Sequence, residues 1–488
     1  MFLGLVTIMV SEIQRHRAAI KRKELSRPIR LGVDESLIST ETTLFDYGCG
    51  HGDDVKSLRK QGIKAAGWDP EFQPNEPKVK SDIVNLGFVI NVIEEARERV
   101  DTLKEAWSLA QDLLIVSARL DIEVKQAPET CYNDGYITKR NTFQKLYTQQ
   151  ELRDWIDAVL DVTSVAAAPG VFYVFKSDER RFSYSASRMR RKSAAPRVRK
   201  SDLLFEKHND LLQELMSFYS LRGRLPSPTE ISKEDEIVEV FGSVKRAFSV
   251  IRKVTGLQRW ENVEKECSLD LLVYLALERF AERPRFAALP QELKLDVKAF
   301  YGNYKRACEK ADELLFSAGN KGSINKACQS SAWGKLTPNS LYIHISEIGL
   351  LPPLLRIYEG CARSYIGSVE DANIVKLSRM KSQVSYLSYP DFDKKPHPEL
   401  RSSLVVSLSN LRVRYYDYAD SENPPILHRK EEFVGDTYPG KKKFQKLTRQ
   451  EERQGLFDDT AVIGTREKWY ALLDEKGLRL AGHRLVKG

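Results

Sequence analysis

Two carboxylates and a run of alternate glycines carry the chemistry in this chain most clearly. In Phe45-Asp46-Tyr47-Gly48-Cys49-Gly50-His51-Gly52-Asp53-Asp54 an acid is followed by three glycines at two-residue spacing. Small residues between a strand and a helix let the backbone approach a ligand. A pyrophosphate turn needs its third glycine three residues after the second, but that position is Asp53, whose carboxylate repels the anion. The Asp-x-Gly-x-Gly-x-Gly spacing suits a cationic nucleotide cofactor, S-adenosylmethionine, with Asp46 facing its positive end and Gly48, Gly50 and Gly52 wrapping it. Asp69 closes the next apolar segment, Lys64 to Asp69, about twenty residues on, where a carboxylate holds ribose hydroxyls. Asn85, near the carboxyl end of the following strand, is placed to line a methyl-transfer pocket. Cys49 has no second cysteine or base nearby in the sequence and reads as a small filler.

No motif identifies the acceptor. The loop after the third strand reads Asn85-Leu86-Gly87-Phe88, not the Asn-Pro-Pro-aromatic sequence with which amino-methyltransferases hold and stack a flipped base. Asn423-Pro424-Pro425-Ile426 lies far outside this region and reads as a turn. A Pro-Cys nucleophile is absent, since Cys131 follows Thr130.

The elements that must position these residues alternate. Apolar strands are expected at Thr43 to Tyr47, Lys64 to Asp69, Asp82 to Ile90, Leu113 to Ser117 and Val171 to Phe175. Amphipathic helices are expected at Val55 to Gln61, Glu94 to Ala110 and Gln149 to Leu160. This alternation implies a parallel sheet covered on both faces. The fold class is therefore α/β: an N-terminal doubly wound Rossmann-like sheet, then a helical module and an α+β C-terminal region.

At 488 residues the chain is too long for one ordinary core. The expected boundaries are a basic helical arm over 1–31 whose helix is stopped by Ser26-Arg27-Pro28, the cofactor domain over 32–178, a basic linker over 179–202, a helical module over 203–265 and a helical then β-rich region over 266–488. The formal net charge is +9. Nine basic residues and no acid fall between Arg180 and Lys200, so the rest of the chain balances to about zero. A polyanionic partner follows from that concentration of charge. The nucleic-acid contacts expected are Arg188, Arg190, Arg191, Lys192, Arg197, Arg199 and Lys200, with Lys245 and Arg246 on a basic helix of the module, and DNA is favoured. Tyr301 and Tyr304 are spaced either for base stacking or for core packing. Asp391, Asp393, His397 and His428 are of types that could hold a metal, although turn chemistry explains the aspartates equally well.

Six scattered cysteines without a CxxC pair suggest neither zinc nor a disulfide framework, and no metal is expected. A reducing cytoplasm fits. The apolar opening, Met1 to Val10, is too short to span a bilayer and lacks a basic leader, so no membrane partner is expected, and Met9 is an alternative start.

The arm His16 to Lys23, the run Phe45 to Asp54 with Gly67-Trp68-Asp69-Pro70, and Val84 to Glu94 resemble the bacterial DNA-phosphorothioation-associated methyltransferases. Later blocks, Gly334 to Pro338, Tyr358 to Arg363, Ser385 to Asp393 and Pro425 to Glu431, are similar to that family as well. The resemblance implies a class I S-adenosylmethionine-dependent methyltransferase associated with bacterial systems that replace a non-bridging phosphate oxygen of DNA by sulfur. It implies further proteins of a DNA-modification or defence system as partners. Other readings stay open: transfer to RNA or to a small molecule, or a non-catalytic DNA-binding regulator that keeps the cofactor fold.

Overall fold

The structure is a computed structural model and describes residues 13–22, 24–123, 130–189, 205, 208–460 and 463–488. Its N-terminal sheet contains β1 (Thr43–Tyr47), β2 (Lys64–Trp68), β3 (Ser81–Gly87) and β4 (Ala110–Ser117), all parallel. A three-stranded excursion follows, β5 (Cys131–Tyr132), β6 (Gly135–Ile137) and β7 (Phe143–Gln144). The chain then returns to the first sheet as a hairpin, β8 (Val165–Ala168) and β9 (Val171–Phe175). The order is β2-β1-β3-β4-β9-β8, with β9 antiparallel to β4. The expectation of a parallel sheet thus holds for four strands, and the hairpin reverses one neighbour. Chain direction across the sheet reverses between β1 and β3, a topological switch point at whose carboxyl end ligands settle.

Alternation along the strands explains why both faces are covered. Leu44, Ile83, Leu113, Ile115, Val171 and Tyr173 belong to one core, and their neighbours Phe45, Val84, Leu114, Val116 and Phe172 belong to the other. Helices α1 (Arg27–Asp34), α2 (Asp53–Lys60) and α5 (Asp178–Met189) supply buried residues to the first face. Helices α3 (Ala96–Leu109) and α4 (Gln149–Leu160) cover the second.

Three boundaries differ from the sequence reading. Among its described residues the arm expected to be helical and to stop at Ser26-Arg27-Pro28 has only a 3-10 turn, Arg15–Ala18, and α1 begins where a stop was expected. Proline in the first helical turn gives up an N–H that has no intrahelical partner there, so it starts a helix as readily as it ends one. The first part of the expected basic linker is α5, which buries Arg181, Phe182, Tyr184 and Ala186.

Beyond it, α6 (Asn209–Arg222), α7 (Glu234–Phe241), α8 (Val244–Thr255) and the start of α9 (Leu257–Leu277) enclose a core around Trp260. The boundary expected at 265/266 falls inside α9, which continues into the C-terminal region. There six antiparallel strands follow one another across a sheet: β10 (Lys335–Leu336), β11 (Ser340–His344), β12 (Ile374–Ser378), β13 (Gln383–Ser388), β14 (Ser402–Ser407) and β15 (Val413–Asp417). One face packs on α9 and on the helix Pro353–Ile366. The end of that helix meets the first sheet's edge strand, where Ser368 donates its backbone N–H to the Ala167 carbonyl at 2.7 Å and Gln149 Nε2 donates to the Tyr365 carbonyl at 3.2 Å. No helix among the described residues is long and apolar enough to cross a membrane.

Candidate functional site

Register builds the site. Asp46 on β1 lies opposite Asn85 on β3 and Gly67 on β2, so the acid sits beside the switch point. Asn85 Nδ2 donates to Asp46 Oδ1 at 2.7 Å, and both residues are buried. Burial is the main reason the Asp46 carboxyl is pushed up to about 7. The charges of Asp54 and Asp69 add to the rise, while the Asn85 hydrogen bond and the Arg22 charge oppose it. Asn85, expected to line a methyl-transfer pocket, holds this carboxylate, and its Oδ1 is buried with no hydrogen-bond partner among the described residues.

The glycine loop turns away from this pair and rests on β2, with the Gly48 and Cys49 N–H groups both donating to the Trp68 carbonyl. Gly48, Gly50 and Gly52 have φ of +78°, +54° and +72°, the left-handed region that side chains disfavour. A Cβ on Gly48 would stand 2.5 Å from Val89 Cγ2, and one on Gly52 would stand 2.4 Å from Gln73 Nε2. Asp69 organises the neighbouring turn: its Oδ2 accepts from Gly50 N at 2.9 Å, and its Oδ1 from Glu71 N and Phe72 N at 3.0 Å each. A carboxylate offers about four acceptor sites, so three N–H donors leave room for one hydroxyl. Burial, reinforced by Asp46 and Asp69, pushes the Cys49 thiol up to about 12, consistent with a filler and not a thiolate nucleophile.

The N-terminal arm closes one side. Asp53 accepts from Arg22 N at 2.8 Å and Asp54 from Ser26 N at 2.7 Å, so both acids at the start of α2 tie down the arm. Arg15 anchors it further out on Glu94 and Glu98. Nothing in the sequence spacing announces these contacts, which span about thirty to eighty residues.

The expected nucleic-acid residues divide into three groups. Arg188 is a structural pin that donates to the Ala166 carbonyl and Ser368 Oγ, so the guanidinium is occupied within the fold. Arg190, Arg191, Lys192, Arg197, Arg199 and Lys200 lie outside the described residues. Lys245 and Arg246 are exposed on α8, whose opposite side buries Ala247, Phe248 and Ile251. Tyr301 and Tyr304 donate to the carbonyls of Ser268 and Pro284 and pack on the helical core.

His397 and His428 do come together, with ring centroids 4.5 Å apart, but the aspartates do not join them. Glu451, from the helix Lys441–Arg453, meets His397 Nε2 at 2.7 Å, and Trp469 packs against both imidazoles. Asp391 pairs with Lys395, and Asp393 accepts from the Tyr438 hydroxyl. Among the described residues no group of three His, Cys, Asp or Glu is placed to hold a metal ion.

No protein-family model matches the chain, and no curated protein matches it. Solved structures similar to parts of it include Burkholderia thailandensis 1,6-didemethyltoxoflavin-N1-methyltransferase with bound 1,6-didemethyltoxoflavin and S-adenosylhomocysteine. That match has 13% identity over 31% of this chain and 80% of that one, with a TM-score of 0.23. An S-adenosylmethionine-dependent methyltransferase from Aquifex aeolicus is 15% identical over 31% of this chain and 89% of that one, with a TM-score of 0.23.

Proposed function

We propose that this chain is an S-adenosylmethionine-dependent methyltransferase acting on nucleic acid, with DNA favoured, in a bacterial DNA-phosphorothioation or defence setting. The observation that carries the cofactor reading is the Asp46–Asn85 pair at the switch point beside a loop whose three glycines all take left-handed φ and whose first leaves no room for a Cβ. The residues fit the cofactor: a buried carboxylate for a cationic group, an unpaired Asn85 oxygen for a donor, and one acceptor site on Asp69 for a hydroxyl. S-adenosylmethionine supplies a methyl group on positive sulfur, open to in-line attack. Asp46 balances the positive charge, Asn85 fixes that carboxylate, and the loop excludes water from one side, so the protein contributes chiefly orientation. Exposed Lys245 and Arg246 and the basic run before Lys200 support a polyanionic acceptor.

The test is transfer of labelled methyl from S-adenosylmethionine to unmodified DNA, phosphorothioated DNA and bulk transfer RNA, with an Asp46→Ala control. Label in DNA that disappears in the control is the expected result. Label only in transfer RNA would replace the acceptor, and cofactor binding without transfer to any polymer would favour a DNA-binding regulator.

A further inference from the structure

The C-terminal sheet has one covered face and one that is partly open. Leu377, Val384 and Val406, matched across β12, β13 and β14, belong to the core beneath it. The residues between them point the other way. Tyr342, Lys376, Ser385, Val405 and Arg414 form one row across β11 to β15, and cross-strand partners share a face. The next row runs Ile374, Leu387, Ser403 and Tyr416. Val413 and Tyr415, alternating with Arg414, turn to the core face. Arg401 extends β14 by one residue: its N–H donates to the Ser388 carbonyl and its carbonyl accepts from Tyr418 N, each at 2.8 Å, so alternation sets it on the face of Ser403 and Tyr416. The chain's last segment closes one end of this outer face, where Ile374 and Leu387 join a core with Phe392, Phe433 and Phe444. Away from that end Lys376 and Val405 are partly exposed, Arg401 and Arg414 are exposed, and Tyr416 is 45% exposed.

Charge and ring together point to an occupant. No outward position of β12, β13, β14 or β15 is an aspartate or glutamate. Other cations of this region are paired: Lys395 with Asp391, Arg429 with Glu432 and Glu452, and Lys441 with Asp436. No carboxylate among the described residues pairs with Lys376, Arg401 or Arg414. Charge on an edge strand keeps other strands from pairing with it, which accounts for Arg414 alone. Lys376 lies on β12, inside the sheet, where no edge needs guarding. Tyr416 stands between two of the charges, with Arg414 two residues along its strand and Arg401 diagonal to it through Ser403, each about 7 Å away. Lys376 is three strands from Arg414, roughly 14 Å across the sheet. An aromatic ring flanked by unpaired cations on an acid-free sheet matches a base flanked by phosphates. A duplex turns its base faces inward, so the ring calls for an unpaired strand.

We propose that the outer face of this sheet binds a single-stranded segment of nucleic acid, with Tyr416 stacked on a base and Lys376, Arg401 and Arg414 on phosphates. The assignment rests on the nucleic-acid reading above and adds the form of the partner. The test is fluorescence anisotropy of a labelled fifteen-nucleotide thymidine strand, and of a duplex of the same length, with the full chain in a salt series. Wild type is compared with Lys376→Gln/Arg401→Gln/Arg414→Gln, with Tyr416→Ala and with Tyr416→Phe, and polyglutamate serves as competitor. Far-ultraviolet circular dichroism and urea unfolding report whether each variant is folded.

The neutralised variant should bind the strand about tenfold more weakly and show a salt slope shallower by about 2, at about 0.7 per phosphate contact. Tyr416→Ala should lose about fivefold with its slope unchanged, and Tyr416→Phe should bind like wild type, because the ring and not the hydroxyl stacks. Folded variants that all bind like wild type would overturn the platform and leave the nucleic-acid reading standing, as would a wild type that binds the duplex and not the strand. Wild type that binds neither would remove the nucleic-acid reading and the platform with it. Loss in the charge variant alone, with polyglutamate displacing the strand at equal charge, would overturn the stacking assignment in favour of a general anion surface.

Discussion

At the scale of single residues, Asp46 joins binding to protonation. Its carboxyl is pushed up to about 7 chiefly because burial penalises the charge, and a cationic ligand repays that penalty only when the proton has left. Affinity for S-adenosylmethionine should therefore be flat above pH 7 and fall toward tenfold per pH unit below it, read by calorimetry between pH 5.5 and 8.5. Asp46→Asn keeps the shape without the charge. It should weaken binding by about 1.5–3 kcal/mol, the range for a hydrogen bond to a charged group, and flatten the profile. A variant that kept both affinity and slope would detach Asp46 from the cofactor. Cys49 gives a second, independent reading of the same environment. With its thiol pushed up to about 12, it should stay unalkylated by iodoacetamide at pH 7.5 while exposed Cys131 reacts, as peptide mass mapping would report.

At the scale of elements, the turn into α2 asks for glycine at Gly52 through its φ of +72°, and a Cβ there would also displace the movable end of the Gln73 side chain. Gly62, at the far end of α2, has a similar φ of +80° but only ordinary contact, with Thr40 at 3.8 Å. Alanine at either position should cost roughly 1–2 kcal/mol of stability from the left-handed backbone alone, and only Gly52→Ala should also lose cofactor affinity. Urea unfolding and calorimetry on the two variants separate those effects, and equal affinity in both would remove the loop from the site. The contrast also explains what could be read in the sequence. β1, β4 and α2 were legible because apolar strands buried on both faces and a glycine run are local signals. β8 was not, since Val165-Ala166-Ala167-Ala168 carries no pattern that separates strand from helix. The start of α1 was misread because proline marks both ends of helices. The places of Asp46, Asp69 and the glycines at the strand ends were legible by spacing, whereas the Asn85 contact depends on strand register.

At the scale of the whole molecule, the C-terminal region carries a buried polar cluster that the methyl-transfer reading leaves unused, and it sets how that region answers to acid. Burial drives His397 down to about 3 and His428 down to about 2, so both are neutral in the folded chain at neutral pH. Unfolded imidazoles take up protons near 6.5, and the folded ones do not. The stability these groups contribute is present above pH 6.5 and is lost as pH falls toward 3. Glu451 works the other way. Burial raises it to about 8, so the folded chain holds a proton that the unfolded chain has released, and stability is lost as pH rises from 4.5 to 8. Between pH 6.5 and 4.5, then, acid weakens what His397 and His428 contribute and strengthens what Glu451 contributes. His428→Gln is the informative variant, because its amide can still donate to the Ile463 carbonyl that His428 Nε2 contacts at 2.6 Å while its ionisation is gone. Between pH 6.5 and 5 the unfolding free energy from urea titration should fall by about 2 kcal/mol more in wild type than in His428→Gln. Parallel losses in the two proteins would mean that the acid sensitivity arises in groups other than His428.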